Sequence, residues 1–95
     1  VLEAQDLVLD TIKTEVRRRG KIINLTKKEY ALLEYLLRQK GKVVSKEQII
    51  AHVWNYEADV LPNTVEAFVG RLRRKLGKPE IIQTVRGFGY KISEN

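Results

Sequence analysis

Two short polar tetrads decide where helices can begin in this chain. Thr26-Lys27-Lys28-Glu29 and Ser45-Lys46-Glu47-Gln48 each place a hydroxyl three residues ahead of a Glu or Gln, just before an apolar run. In such a capping box the hydroxyl accepts from an orphan helical amide, and the Glu or Gln reaches back to the cap amide. Behind the first box, Tyr30, Leu33, Leu36 and Leu37 form a helical stripe that Gly41 terminates. Behind the second, Ile49, Ile50, Val53 and Trp54 form a shorter one, with a polar loop over residues 55–61 after it. A third helix opens near Pro62-Asn63, where proline is tolerated at a helix start. Asn63-Thr64-Val65-Glu66 also fits a cap, so its start is open by a residue or two. Val65, Val69, Leu72 and Leu76 give this helix one buried seam, which Gly77 ends and Pro79 keeps from resuming.

Strand signals flank the helices. Leu7-Val8-Leu9, Thr14-Glu15-Val16 and Lys21-Ile22-Ile23-Asn24-Leu25 are short apolar or alternating runs, with Gly20 at a turn. The run Arg17-Arg18-Arg19 reads as a solvated hairpin end. Val43-Val44 reads as an extended link. Ile81-Ile82-Gln83-Thr84-Val85 and Lys91-Ile92-Ser93 bracket Arg86-Gly87-Phe88-Gly89-Tyr90, a C-terminal hairpin. Together these predict one α+β domain over residues 1–95, with its core at about 7–92.

Chemistry is narrowed by what the chain lacks. With no cysteine and one histidine, His52, it has no disulfide framework, thiolate metal site or nucleophile–base pair. His52 reads as a surface or partly packed residue. Gly87 and Gly89 lie in a hairpin rather than before a helix, so they form no phosphate loop. Nothing supports catalysis, a cofactor or a metal, and no run is long enough to span a membrane. The net charge is +6, and +4 of it falls in residues 62–95. Such asymmetry fits a polyanion partner, and equally a basic surface without one.

The third helix sharpens this. Opposite its seam it presents Asn63, Thr64, Ala67, part of Phe68, Arg71, Arg74 and Lys75. Arg71 or Arg74 can hold guanine O6 and N7, Asn63 can pair with adenine, Glu66 can accept from a cytosine amino group, and Ala67 or Phe68 can touch a thymine methyl. Arg86 at a thin hairpin tip suits a narrow minor groove. Thr84 and Trp54 can donate to phosphate oxygens. An ordinary amphipathic helix with a basic face fits the same pattern, and Trp54 fits a core position.

Several motifs now stand in one order: Leu25-Thr26-x-x-Glu29-Tyr30-x-Leu32-Leu33, Gly41 through Ile49, Val53-Trp54, Asn63-Thr64-Val65-Glu66 leading to Arg71-Leu72-Arg73-Arg74-Lys75-Leu76, and Thr84 through Tyr90. This series resembles the OmpR/PhoB-type winged-helix effector domain of bacterial two-component response regulators, over about Leu7 to Ile92. The resemblance implies a winged helix-turn-helix: an N-terminal four-stranded antiparallel sheet, a three-helix core and a C-terminal β-hairpin wing. It implies recognition of double-stranded DNA in transcription regulation, with the third helix in the major groove and the wing in the minor groove. Base contacts would fall on Asn63, Glu66, Ala67, Arg71 and Arg86. Phosphate contacts would fall on Trp54, Thr64, Arg73 and Thr84, to which the helix stripe adds Arg74. Phe68 and Gly70 depart from the pattern, standing where a polar and a basic residue are common.

The resemblance further implies a cytoplasmic protein whose N-terminal receiver domain carries a phosphorylatable aspartate, so that a chain starting at Val1 reads as the C-terminal part of a longer one. Phosphorylation would pair two copies on tandem half-sites through effective concentration. The loop over residues 55–61 would touch RNA polymerase. The rival readings are an RNA-binding module, against which the dispersed aromatics speak, and a protein-interaction winged helix whose basic face meets an acidic partner.

Overall fold

The computed structural model describes residues 1–54 and 59–93. Four strands come first: β1 (Leu2–Ala4), β2 (Leu7–Asp10), β3 (Glu15–Arg18) and β4 (Lys21–Ile23) form an antiparallel meander in that order. Arg19 and Gly20 both take positive φ in the two-residue β3–β4 turn, matching the right-handed twist of the strands it joins. Three helices follow, α1 (Lys27–Arg38), α2 (Lys46–Val53) and α3 (Pro62–Leu76), then the hairpin of β5 (Ile82–Val85) and β6 (Gly89–Ile92).

Both capping boxes form as the sequence predicts. Thr26 Oγ1 accepts from the Glu29 amide while Glu29 Oε1 accepts from the Thr26 amide, and Ser45 and Gln48 do the same for α2. At α3, Pro62 is the first helical residue and Leu61 the cap, so Asn63 is not used as a cap. Leu32, outside the expected α1 stripe, is fully buried, whereas Tyr30 only half packs. β1 precedes the first strand read from the residues themselves, although the family resemblance implies four strands.

Alternation along the sheet turns Ala4, Leu7, Leu9 and Val16 onto the helices. Leu32, Leu33, Leu36, Ile49, Val65, Val69 and Leu72 meet them from the three helices, and Ile82 and Ile92 close the core from the hairpin. The same alternation places Arg18 on the inner face, opposite Leu7. Arg18 is therefore no solvated hairpin residue. It is 5% exposed, pairs with Asp6, and donates to the carbonyls of Leu76, Gly77 and Pro79. These include carbonyls that the end of α3 leaves without helical partners. Arg17 and Arg19, by contrast, stay exposed.

Val44 is more than a link. It pairs with Tyr90 through two backbone hydrogen bonds of 2.8 and 2.9 Å, and Gly41 N–H donates to Ile92 O. The segment before α2 is thus bridged to the edge of the hairpin at Val44. Gly89 makes this approach possible, because a Cβ there would sit 2.0 Å from the Val44 carbonyl oxygen.

Candidate nucleic-acid interface

The seam of Val65, Val69, Leu72 and Leu76 is buried as expected, which turns the other side of α3 outward. Asn63, Glu66, Ala67, Arg71 and Arg74 are exposed, and Thr64 is half-buried. With 3.6 residues per turn, Asn63, Ala67, Arg71 and Arg74 follow one another along a single stripe. The Arg71 guanidinium lies 4.9 Å from the Phe68 ring centroid, which steadies it without consuming its donors. Phe68 in turn meets Trp54 edge-on at 5.2 Å. Trp54 caps the end of α2 and is 4% exposed, so its ring belongs to the core. Phe68 therefore works as packing beneath Arg71, where the resemblance would have placed a polar group.

The remaining basic residues of α3 are tied to other elements. Arg73 donates to the Ile82 carbonyl and, at 2.8 Å, to Thr84 Oγ1, and its guanidinium lies over the Tyr90 ring. It fastens α3 to the hairpin and brings two expected phosphate-contact residues, Arg73 and Thr84, together. Lys75 is exposed as expected, and its ammonium pairs with Glu29 at 2.6 Å. Glu29 is 2% exposed. Burial pushes its carboxyl up, but the Lys75 ammonium and the Thr26 amide outweigh that and hold it below the usual glutamate value.

The hairpin stands beside the N-terminal end of α3. Lys46, Glu47, Pro62, Thr84, Phe88 and Tyr90 line a groove of about 310 Å³ between them. Arg86 and Gly87 form the hairpin tip, with Gly87 at positive φ and Arg86 exposed. Phe88, 73% exposed, stands just behind the tip. Lys46, which lines this groove from α2, pairs with Glu66 of α3 at 2.5 Å. The Glu66 hydrogen bond raises the Lys46 pKa, keeping the ammonium charged. Sequence reasoning singled out neither Lys46 nor Arg18. Inward alternation from Val16 was the available signal for Arg18, whereas Lys46 depends on how two helices cross.

His52 is exposed and stacks on Tyr35 with centroids 4.3 Å apart, in keeping with a partly packed surface residue. Among the described residues no group of His, Asp or Glu is arranged to hold a metal ion, and no helix is long and apolar enough to cross a membrane. Residues 55–58 of the loop expected to meet RNA polymerase lie outside the described residues.

Comparison with known proteins agrees with this architecture. Residues 20–92 match the family described as "Transcriptional regulatory protein, C terminal". The chain is 47% identical over 92 residues to the transcriptional regulatory protein CutR of Streptomyces coelicolor, covering 97% of this chain and 42% of CutR. It is 41% identical over 92 residues to the response regulator MprA of Mycobacterium tuberculosis, covering 94% of this chain and 40% of MprA. It thus spans less than half the length of either relative. Among solved structures, the DNA-binding domain of the response regulator AdeR, in complex with an intercistronic region, superposes with a TM-score of 0.86 at 28% identity. That match covers 98% of this chain and 99% of the AdeR domain. The sheet, the three helices, the hairpin and the family match lead to one assignment: the chain belongs to the OmpR/PhoB-type winged-helix family of transcriptional-regulator C-terminal domains, a DNA-binding family and not an enzyme family.

Proposed function

We propose that this domain reads double-stranded DNA by sequence, with α3 in the major groove and the β5–β6 wing in the adjacent minor groove. The observation that carries the reading is the outward stripe of α3. Asn63, Ala67, Arg71 and Arg74 are exposed on it, while Arg73 is tied to the hairpin, Lys75 is paired with Glu29 and the helix's one acid, Glu66, is paired with Lys46. Asn63, Glu66, Ala67 and Arg71 would meet base edges, and Arg86 the floor of the minor groove. Thr64, Arg74 and Thr84 would meet phosphates, joined by Arg73 through the Nη1 edge that its bonds to Ile82 and Thr84 leave open, whereas Trp54, expected there, is buried in the core. Selecting bound duplexes from a random library at ~150 mM salt tests this. A recovered motif is expected; binding that merely fades with salt and yields no motif would leave only a basic surface. Arg71→Ala should cost about 1–3 kcal/mol on the selected site and relax the preference at one base pair, measured by titration of single-base variants.

In the longer protein we propose that the domain is the output of a response regulator, following a receiver domain. Support comes from the much longer CutR and MprA, the latter named a response regulator. Phosphorylation would then pair two copies on tandem half-sites, and the loop over residues 55–61 would meet RNA polymerase. Affinity of the full-length protein for a two-site duplex should rise on phosphorylation, whereas affinity for a single site should not.

A further inference from the structure

We infer that Lys46 is a positioning residue for base recognition: it holds Glu66 so that the second carboxylate oxygen accepts from an exocyclic amino group, cytosine N4 or adenine N6, in the major groove. The inference rests on the DNA-reading role proposed for α3.

Glu66 is the only acid on α3. Pointed unpaired at DNA, a carboxylate repels every phosphate near it whatever the sequence. Lys46 removes that penalty from the side. Its ammonium bonds Oε2, leaving Oε1 without a hydrogen bond among the described residues. The exposures show which partner faces out: the Glu66 side chain is 53% exposed and the Lys46 side chain 32%. The acid is thus the more solvent-open member of the pair. A lysine meant to grip phosphate would have the reverse arrangement. On the helix, Glu66 lies one turn after Asn63 and beside Ala67, on the flank of the stripe opposite Arg71. The geometry therefore offers an acceptor beside the donors of Arg71 and Asn63. Bases that present an amino group there are favoured, and guanine O6 or thymine O4 would face a carboxylate.

Lys46 is also well anchored for this task. It is the first residue of α2, immediately after the Ser45 cap, so its backbone is fixed by the capping box rather than by a loop. A support held this way restricts the rotamers of Glu66, as geometry-sensitive recognition requires.

The test uses the 95-residue chain and the duplex recovered by selection. Affinities are measured for all four base pairs at each position of one half-site, for the wild type, Lys46→Met, Lys46→Arg and Glu66→Ala, with thermal melts to show that each variant folds. The wild type should prefer a cytosine or an adenine at one position by roughly tenfold. Lys46→Met and Glu66→Ala should both lose most of that preference at the same base pair, and Lys46→Arg should restore it. Discrimination at the other positions should persist. If Lys46→Met weakens every sequence by one factor and leaves all preferences intact, Lys46 is a phosphate contact or a brace, and the inference is wrong. It is equally wrong if the two substitutions relax different base pairs. A wild type without preference anywhere would instead remove the base-reading role of α3, and this inference with it.

Discussion

Arg18 acts across the molecule from where its sequence neighbours suggest. Its guanidinium joins β3 to the last turn of α3, satisfying the carbonyls of Leu76, Gly77 and Pro79 while pairing with Asp6. Removing it leaves buried acceptors without donors and Asp6 with only Arg19. Arg18→Ala should therefore cost about 2–4 kcal/mol in denaturant unfolding, whereas Arg17→Ala on the outer face should be near neutral. Gly70 gives the opposite expectation. A Cβ there meets only the tip of the Arg74 side chain at 3.7 Å, and its backbone is helical. Gly70→Ala should stabilise α3 by about 0.5–1 kcal/mol, seen as a higher melting temperature. At this scale the outward residues of α3 were legible, because a buried seam at helical spacing defines its own opposite face. Arg18 was obscured by its neighbours: three arginines in a row read as solvent-facing, although period-two alternation from Val16 sends the middle one inward. The Lys46–Glu66 pair joins two helices across a turn, and no single segment contains that information.

Among the elements, the helices announced themselves best. Capping boxes and apolar stripes gave α1 and α2, and the proline and glycine at its ends gave α3. The strand formed by β1 was too short to register, and the segment around Val44 carries no alternation because it pairs only briefly. The glycine next to its partner Tyr90 shows how narrowly the hairpin is seated. Gly89 lies so close to the Val44 carbonyl that any side chain must separate the two backbones, and its φ of 146° disfavours one in any case. Gly89→Ala should lower stability by about 2 kcal/mol or more and release the protection of the Val44 and Tyr90 amides in hydrogen exchange, while α1 amides keep theirs near the new global limit. Arg73 grips the same hairpin from α3. A substitution at Arg73 thus touches wing placement as well as any phosphate, a coupling invisible in the helix pattern.

For the molecule as a whole, carboxylates held by cations and backbone amides tie stability to pH. Glu29, Asp6 and Asp10 all have carboxyls held below their usual values. Each is protonated more readily in the unfolded chain than in the folded one. Their stabilisation is present above the ordinary carboxylate values, 4.5 for glutamate and 3.8 for aspartate, and is lost as pH falls through the lowered ones. Stability measured by denaturant titration should decline on acidification below about pH 4.5, and Glu29→Gln should flatten that decline without abolishing it, since both aspartates remain. The overall α+β order was readable because strand, helix and turn signals occur in separate blocks. The ties that hold the blocks together, Arg18 to α3, Lys75 to Glu29 and Arg73 to Thr84, join separate elements, and only Arg18 left a local trace, in the alternation from Val16.

The seating of Gly89 against Val44 reaches beyond stability. With the wing bonded to the segment that leads into α2, and α3 fastened to the same wing by Arg73, the two parts that would enter neighbouring grooves cannot spread or pinch independently. The domain then behaves as a caliper of fixed gap. A duplex whose groove spacing already fits is bound without distortion, and a stiffer or differently curved one must be bent to fit at an elastic cost. Base pairs that no side chain touches can in this way still decide which sites are occupied.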